Sequence, residues 1–142
     1  MSLIRRKLAD HLLGLALILT AFVTAAYWAN YFTGGDVAVV RERWYLAYES
    51  SFPVADSWLA ACSLLAGVAL LRGWRCAGPA ALLAGSALIY LAALDITFAI
   101  ENNLYQLAAR GNAMQFEIVI NLWSLTFGVL AILAGWRANY SR

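Results

Sequence analysis

Residues 12–32 read LLGLALILTAFVTAAYWANYF, an apolar run without a single charged side chain. A helix crosses the hydrocarbon of a bilayer with about 20 mostly apolar residues, so this stretch by itself predicts a transmembrane helix. Three more follow: about 52–71, with Asp56 near its start; about 79–100, containing Asp95; and about 116–136, containing Glu117. Lipid offers backbone groups no partners, so only helices and closed barrels span it. These runs lack the alternation of barrel strands. The chain is therefore expected to be all-α, with residues 1–142 forming one four-helix transmembrane bundle.

Composition points the same way. Of 142 residues, 63% are hydrophobic and 13% charged, and the mean hydropathy is +0.70. Soluble domains carry about 25% charged residues. A disordered chain, a nucleic-acid-binding surface and a disulfide-stapled secreted module are excluded. The single histidine, His11, cannot build a bis-histidine haem, zinc or copper site. No P-loop, dinucleotide fingerprint or CxxC motif is present. No cofactor and no metal are expected. No Ser/His or Cys/His pair can form within the spans, which removes that kind of intramembrane protease. Cys62 and Cys76 lie ~21 Å apart along a helix, beyond disulfide reach.

Basic residues set orientation. With the N-terminus inside, Arg5, Arg6, Lys7, Arg72, Arg75, Arg137 and Arg142 fall on the inner side, and Arg41, Arg43 and Arg110 on the outer side. Both termini are then cytoplasmic. The basic start resembles a signal peptide, but its apolar run is longer than an h-region, so it reads as a retained first helix. Nine arginines against one lysine, with abundant alanine, suggest a GC-rich bacterial genome and hence a bacterial cytoplasmic membrane. The long loop 33–51 mixes aromatic and charged residues. Its part from about 37 to 50 suits either a helix lying in the interface or a plain connector with interfacial aromatics.

The acids are distributed unevenly. Asp10 alone falls inside, whereas Asp36, Glu42, Glu49, Asp56, Asp95, Glu101 and Glu117 fall on or near the outer side. An ionised acid at the bilayer centre costs on the order of 3 kcal/mol on insertion scales, and Asp95 is placed at least as deep as Asp56 and Glu117. Glu117, Asn121, Ser124 and Gly128 share one helix face, as do Asp56, Ala60, Ser63 and Gly67. On the third span, Asp95 and Asn102 share a face, and Ser86, Tyr90, Thr97 and Glu101 form another. The simplest assembly turns Asp56, Asp95, Glu117, Asn102 and Asn121 into one outward-opening pocket, with Glu101 and Tyr90 as further candidates. The alternative for Asp56 and Glu117 is a first-turn position that favours negative charge through the helix dipole. Ser63–Arg75 (SLLAGVALLRGWR) and Ser124–Arg137 (SLTFGVLAILAGWR) are similar, each seven residues after an acid. That is the pattern of two hairpins related by an axis along the membrane normal.

The segments ESSFPVAD from Glu49, DITFAIENNLY from Asp95 and EIVIN from Glu117 resemble a group of uncharacterised small bacterial four-helix membrane proteins. A fainter resemblance is to the EXPERA domain of sterol isomerases and the sigma-2 receptor. It rests on Arg43-Trp44-Tyr45 before Glu49 and Asp56, and on Thr97-Phe98-Ala99-Ile100-Glu101. That resemblance implies four core helices and acids facing an intramembrane ligand cavity. The first span departs from it by carrying no acid, and the spans lack the histidine typical of the isomerases.

Carboxylate chemistry is what remains. The leading expectation is a pocket that binds a lipid-like or amphipathic ligand with a cationic or hydrogen-bonding head. Asp95 and Glu117 would be its anchors, Asp56 and Asn121 its support. Three alternatives stay open. Asp95 and Glu117 could be catalytic in acid–base isomerisation or cyclisation. The chain could be a proton- or cation-coupled small transporter. It could be an accessory subunit of a membrane complex. Membrane lipid or a lipid-like molecule, a second copy of the chain, or another membrane protein are the partners these readings imply, and nucleic acid is not one.

Overall fold

The computed structural model describes residues 3–34, 38–109 and 111–140. Asp36, Arg110 and Arg142, part of the charge reading above, lie outside the described residues, as does Val37 at the start of the expected interfacial helix. Regular structure among the described residues is entirely helical. Its helices are α1 (Leu3–Phe32), α2 (Arg43–Glu49), α3 (Pro53–Arg72), α4 (Ala77–Glu101) and α5 (Asn112–Tyr140), with a short 3₁₀-helix (Leu104–Ala109) before α5. Four stretches, Lys7–Phe32, Arg43–Arg72, Ala77–Glu101 and Asn112–Ala138, are long and apolar enough to cross a membrane. The molecule is a multi-pass membrane protein of all-helical fold.

Local chemistry sets the breaks. Pro53 opens α3, where its missing N–H and fixed φ cost nothing. Gly73 closes it in the left-handed conformation (φ 64°), and the Trp74 N–H turns back to the Ala69 carbonyl at 2.9 Å. Asn103 (φ 54°) ends the α4 region, a conformation asparagine tolerates better than most residues. These breaks fold the chain into two hairpins, α1 with α3 and α4 with α5.

Without a hydrophobic drive between helices in lipid, close approach depends on small residues. The core consists largely of alanines, including Ala66, Ala80, Ala84 and Ala131, around Leu13, Leu17, Leu59 and Leu88. Backbones touch at glycines. A Cβ on Gly67 would stand 2.6 Å from the Gly14 carbonyl and 2.6 Å from Ile18 Cγ1. A Cβ on Gly128 would stand 3.1 Å from the Gly85 carbonyl and 2.7 Å from Ile89 Cγ1. The facing segments read Gly14-Leu-Ala-Leu-Ile18 and Gly85-Ser-Ala-Leu-Ile89, so the hairpins use one packing motif twice. The similarity of α1 to α4 is diluted in apolar sequence, and the paired contacts single it out.

Around the bundle, α1 packs on α3, α3 on α4, and α4 on α5, whereas α5 meets α1 only briefly. At the end of the bundle away from the termini, α2 is half-buried, with Arg43, Trp44 and Ala47 exposed. Its Tyr45 and Glu49 are buried, and Tyr48 stacks face to face on Phe98 of α4, with ring centroids 3.5 Å apart and 4° between planes.

Candidate functional site

Beneath α2 lies a cavity of about 290 Å³. Four of its lining residues are carboxylates, each from a different element: Glu49 of α2, Asp56 of α3, Asp95 of α4 and Glu117 of α5. The remaining helix, α1, contributes no acid. It supplies hydrogen-bond donors from two adjacent residues instead. Tyr27 donates its hydroxyl to Glu49 Oε1, and Trp28 donates its indole N–H to Asp56 Oδ2 at 2.8 Å. The acid-free first span thus belongs to the site through aromatic donors.

The deeper acids form a second group. Tyr48 donates to Asp95 Oδ1 at 3.4 Å, and Asp95 also stands within hydrogen-bonding reach of Glu117 and Asn121. Asn121 is buried, one helical turn beyond Glu117 on the same face of α5. Behind Asp95, Glu117 and Asn121 lies a separate void of about 20 Å³, room for one water. On the 3₁₀-helix outside the spans, burial pushes the Tyr105 phenol above its ordinary value, and the Asp95 and Glu117 carboxylates add to that.

At the far end of the cavity Trp123 donates its indole N–H to Thr20 Oγ1 at 2.9 Å, tying α5 to α1. The same hydroxyl donates to the Ala16 carbonyl at 2.9 Å, so both its capacities are used. Tyr27, Trp28, Tyr45, Tyr48, Phe52 and Trp123 give the cavity an aromatic lining.

Two features bear on what the cavity can hold. Among the described residues, no lysine, arginine or histidine lines it. Glu49 is only 6% exposed, and its Oε2 has no hydrogen-bond partner among the described residues. A buried carboxylate oxygen without a donor is costly. Among the described residues no group of three His, Cys, Asp or Glu side chains is disposed to hold a metal ion.

Of the residues singled out in the sequence, Asp56, Asp95, Glu117 and Asn121 come together here. Asn102, Glu101 and Tyr90 do not, and all three are exposed. At 100° per residue Glu101 and Tyr90 are turned well away from Asp95. Asn102 has nearly the right phase, but it caps α4 and spends its amide on the Phe98 carbonyl at 2.9 Å. Phe98 and Tyr48, stacked, lie over that side of the acids. The expected opening at the loop end is correspondingly roofed by α2.

Glu49, Tyr27, Trp28, Tyr48 and Trp123 were not among the expected site residues. A signal for the α2 set was present: Tyr45, Tyr48 and Glu49 are spaced three and four apart, one face of a helix. Tyr27 and Trp28 lie in the aromatic-rich end of the first span, and sequence alone does not reveal which of its rings turn inward. Comparison of the chain with protein-family models, characterised proteins and solved structures finds no match in any of the three.

Proposed function

We propose that this protein binds a small amphipathic cation within the membrane, its charged head among Glu49, Asp56, Asp95 and Glu117. The observation that carries the reading is the convergence of four carboxylates on a cavity that no basic side chain lines among the described residues, with one buried oxygen of Glu49 left without a donor among them. A protonated amine or guanidinium supplies both the compensating charge and the missing N–H. The aromatic walls favour the same head, because a cation over a ring face gains about 0.5–2 kcal/mol, more when desolvated. The reading agrees with what the resemblance to the EXPERA domain implies, acids facing an intramembrane cavity. The charge bias of the ends favours cytoplasmic termini in a bacterial inner membrane, which puts α2 and the acids toward the outside.

The test is mass spectrometry of what co-purifies with the full chain and with an Asp95→Asn/Glu117→Gln variant that retains its fold. A discrete amine in the native sample, absent from the variant, is expected. Bulk lipid alone in both samples overturns the reading. So does a stoichiometric partner protein with no small molecule.

A further inference from the structure

The ring of helices has one weak side. Among the described residues α1 does not approach α4, nor α3 α5, and the only short contact around the ring is α1 with α5. The cavity lies along that seam. Most of its lining is buried or half-buried. The exposed lining residues are Leu19 (50%) and Val23 (39%) of α1 and Phe116 (45%) and Val119 (60%) of α5. All four are apolar, and all lie on the two helices that border the seam. Described residues cover the cavity at both ends. The buried Tyr45 and Glu49 of α2 form a roof, and the Trp123–Thr20 hydrogen bond forms a floor.

We infer that the ligand reaches the acids sideways from the bilayer, between α1 and α5, and that a single alkyl chain stays in this seam once its head is bound. The inference rests on the proposed function and narrows it to membrane-partitioning amines. The seam opens within the spans, so its apolar edges face hydrocarbon. A ligand using it must dissolve in lipid and end in a cation. The slot runs from Phe116 to the floor at Trp123, seven residues of helix or ~10 Å, and that length is filled by a chain rather than by a compact head. Val23 and Val119 are thereby the residues that set selectivity for the chain.

The experiment uses the full chain in phosphatidylcholine nanodiscs with two radiolabelled probes, dodecylammonium and butylammonium. The variants are Val23→Trp and Val119→Trp, which narrow the slot. The control is Leu122→Trp, on an α5 position that is 61% exposed and does not line the cavity. Narrowing is expected to weaken dodecylammonium binding at least tenfold and to slow its association. Butylammonium, which fits inside the cavity, should keep its affinity within twofold while its association slows too, because it enters by the same seam; the control should stay within twofold in affinity and rate for both probes. If association with Val23→Trp and Val119→Trp is as fast as with the control, the lateral route is wrong; if both amines lose affinity alike, the chain does not stay in the seam; in either case the binding function stands. If the unaltered protein binds neither amine, the binding function falls and the route with it. Should a tryptophan variant fail to fold, Val23→Phe and Val119→Phe make the same test with a smaller addition.

Discussion

Gly85 is the position at which the packing of the bundle can be tested most sharply. A methyl group placed there would lie 2.6 Å from the Gly128 carbonyl oxygen, 2.8 Å from Ile132 Cγ1 and 3.0 Å from the Ile132 nitrogen. Two of these three atoms are backbone, so no rotamer change relieves the clash. Restoring an ordinary 3.4 Å contact to the carbonyl requires α4 and α5 to part by the difference, 0.8 Å. A gap of that size forfeits about a quarter to a half of each dispersion contact along the interface. Overpacking costs about 1–3 kcal/mol, and a backbone clash belongs at the upper end. Gly85→Ala is therefore expected to destabilise the bundle by about 2–3 kcal/mol, a factor of roughly 30–150 in the unfolding equilibrium. The assay is reversible unfolding in mixed dodecylmaltoside–SDS micelles. Gly67→Ala, which meets the Gly14 carbonyl at the same 2.6 Å, should cost about as much, and Gly111→Ala, with nothing within 4 Å, should be nearly silent. If Gly85→Ala unfolds at the same SDS fraction as Gly111→Ala, the α4–α5 hairpin is not held by its glycine contacts.

Two further perturbations address the site. Trp28→Phe keeps the ring among Tyr27, Tyr31 and Phe32 but removes the N–H given to Asp56; a loss of about 1–2 kcal/mol is expected in the same unfolding assay, and an unchanged unfolding midpoint would show that this hydrogen bond does not hold Asp56. Tyr48→Leu removes both the stack on Phe98 and the hydroxyl given to Asp95, so α2 should loosen and limited proteolysis in the 33–52 connection should speed up severalfold. Tyr48→Phe, which keeps the stack, should stay close to the native rate; equal rates for all three proteins would mean that Tyr48 does not pin the roof.

The four spans were legible because each carries enough consecutive apolar residues to satisfy a bilayer, and Pro53 and Gly73 mark the two ends of one of them, α3. The inward face of α5 was legible too, since Glu117, Asn121 and Ser124 recur at helical spacing. The third span was harder. Asp95, Tyr90, Asn102 and Glu101 are all polar residues in or at the end of one helix, and periodicity alone does not say which of two polar faces turns inward. The neighbours decide that: α3 and α5 flank α4 so that Asp95 enters the cavity while Tyr90 and Glu101 stay on the surface. Glu49 posed the opposite problem. It lies in a loop that reads as interfacial, and only the folding of α2 over the bundle buries it.

What the sequence determined by itself is the solvent and the element type, because both follow from runs of side chains along a continuous chain. Apolar length fixes helices that cross a membrane, and an acid-poor end at the termini with an acid-rich opposite end fixes where ionisable groups gather. What only the tertiary structure decided is which groups meet. Tyr27 reaches Glu49 and Trp28 reaches Asp56 across 22 and 28 residues, and Trp123 reaches Thr20 across 103. Those meetings depend on glycine contacts that set how closely each hairpin closes, and on a fourth side of the ring that closes only in part. Rotation of a helix about its axis and the width of a seam between helices are properties of packed neighbours, and no single segment encodes them.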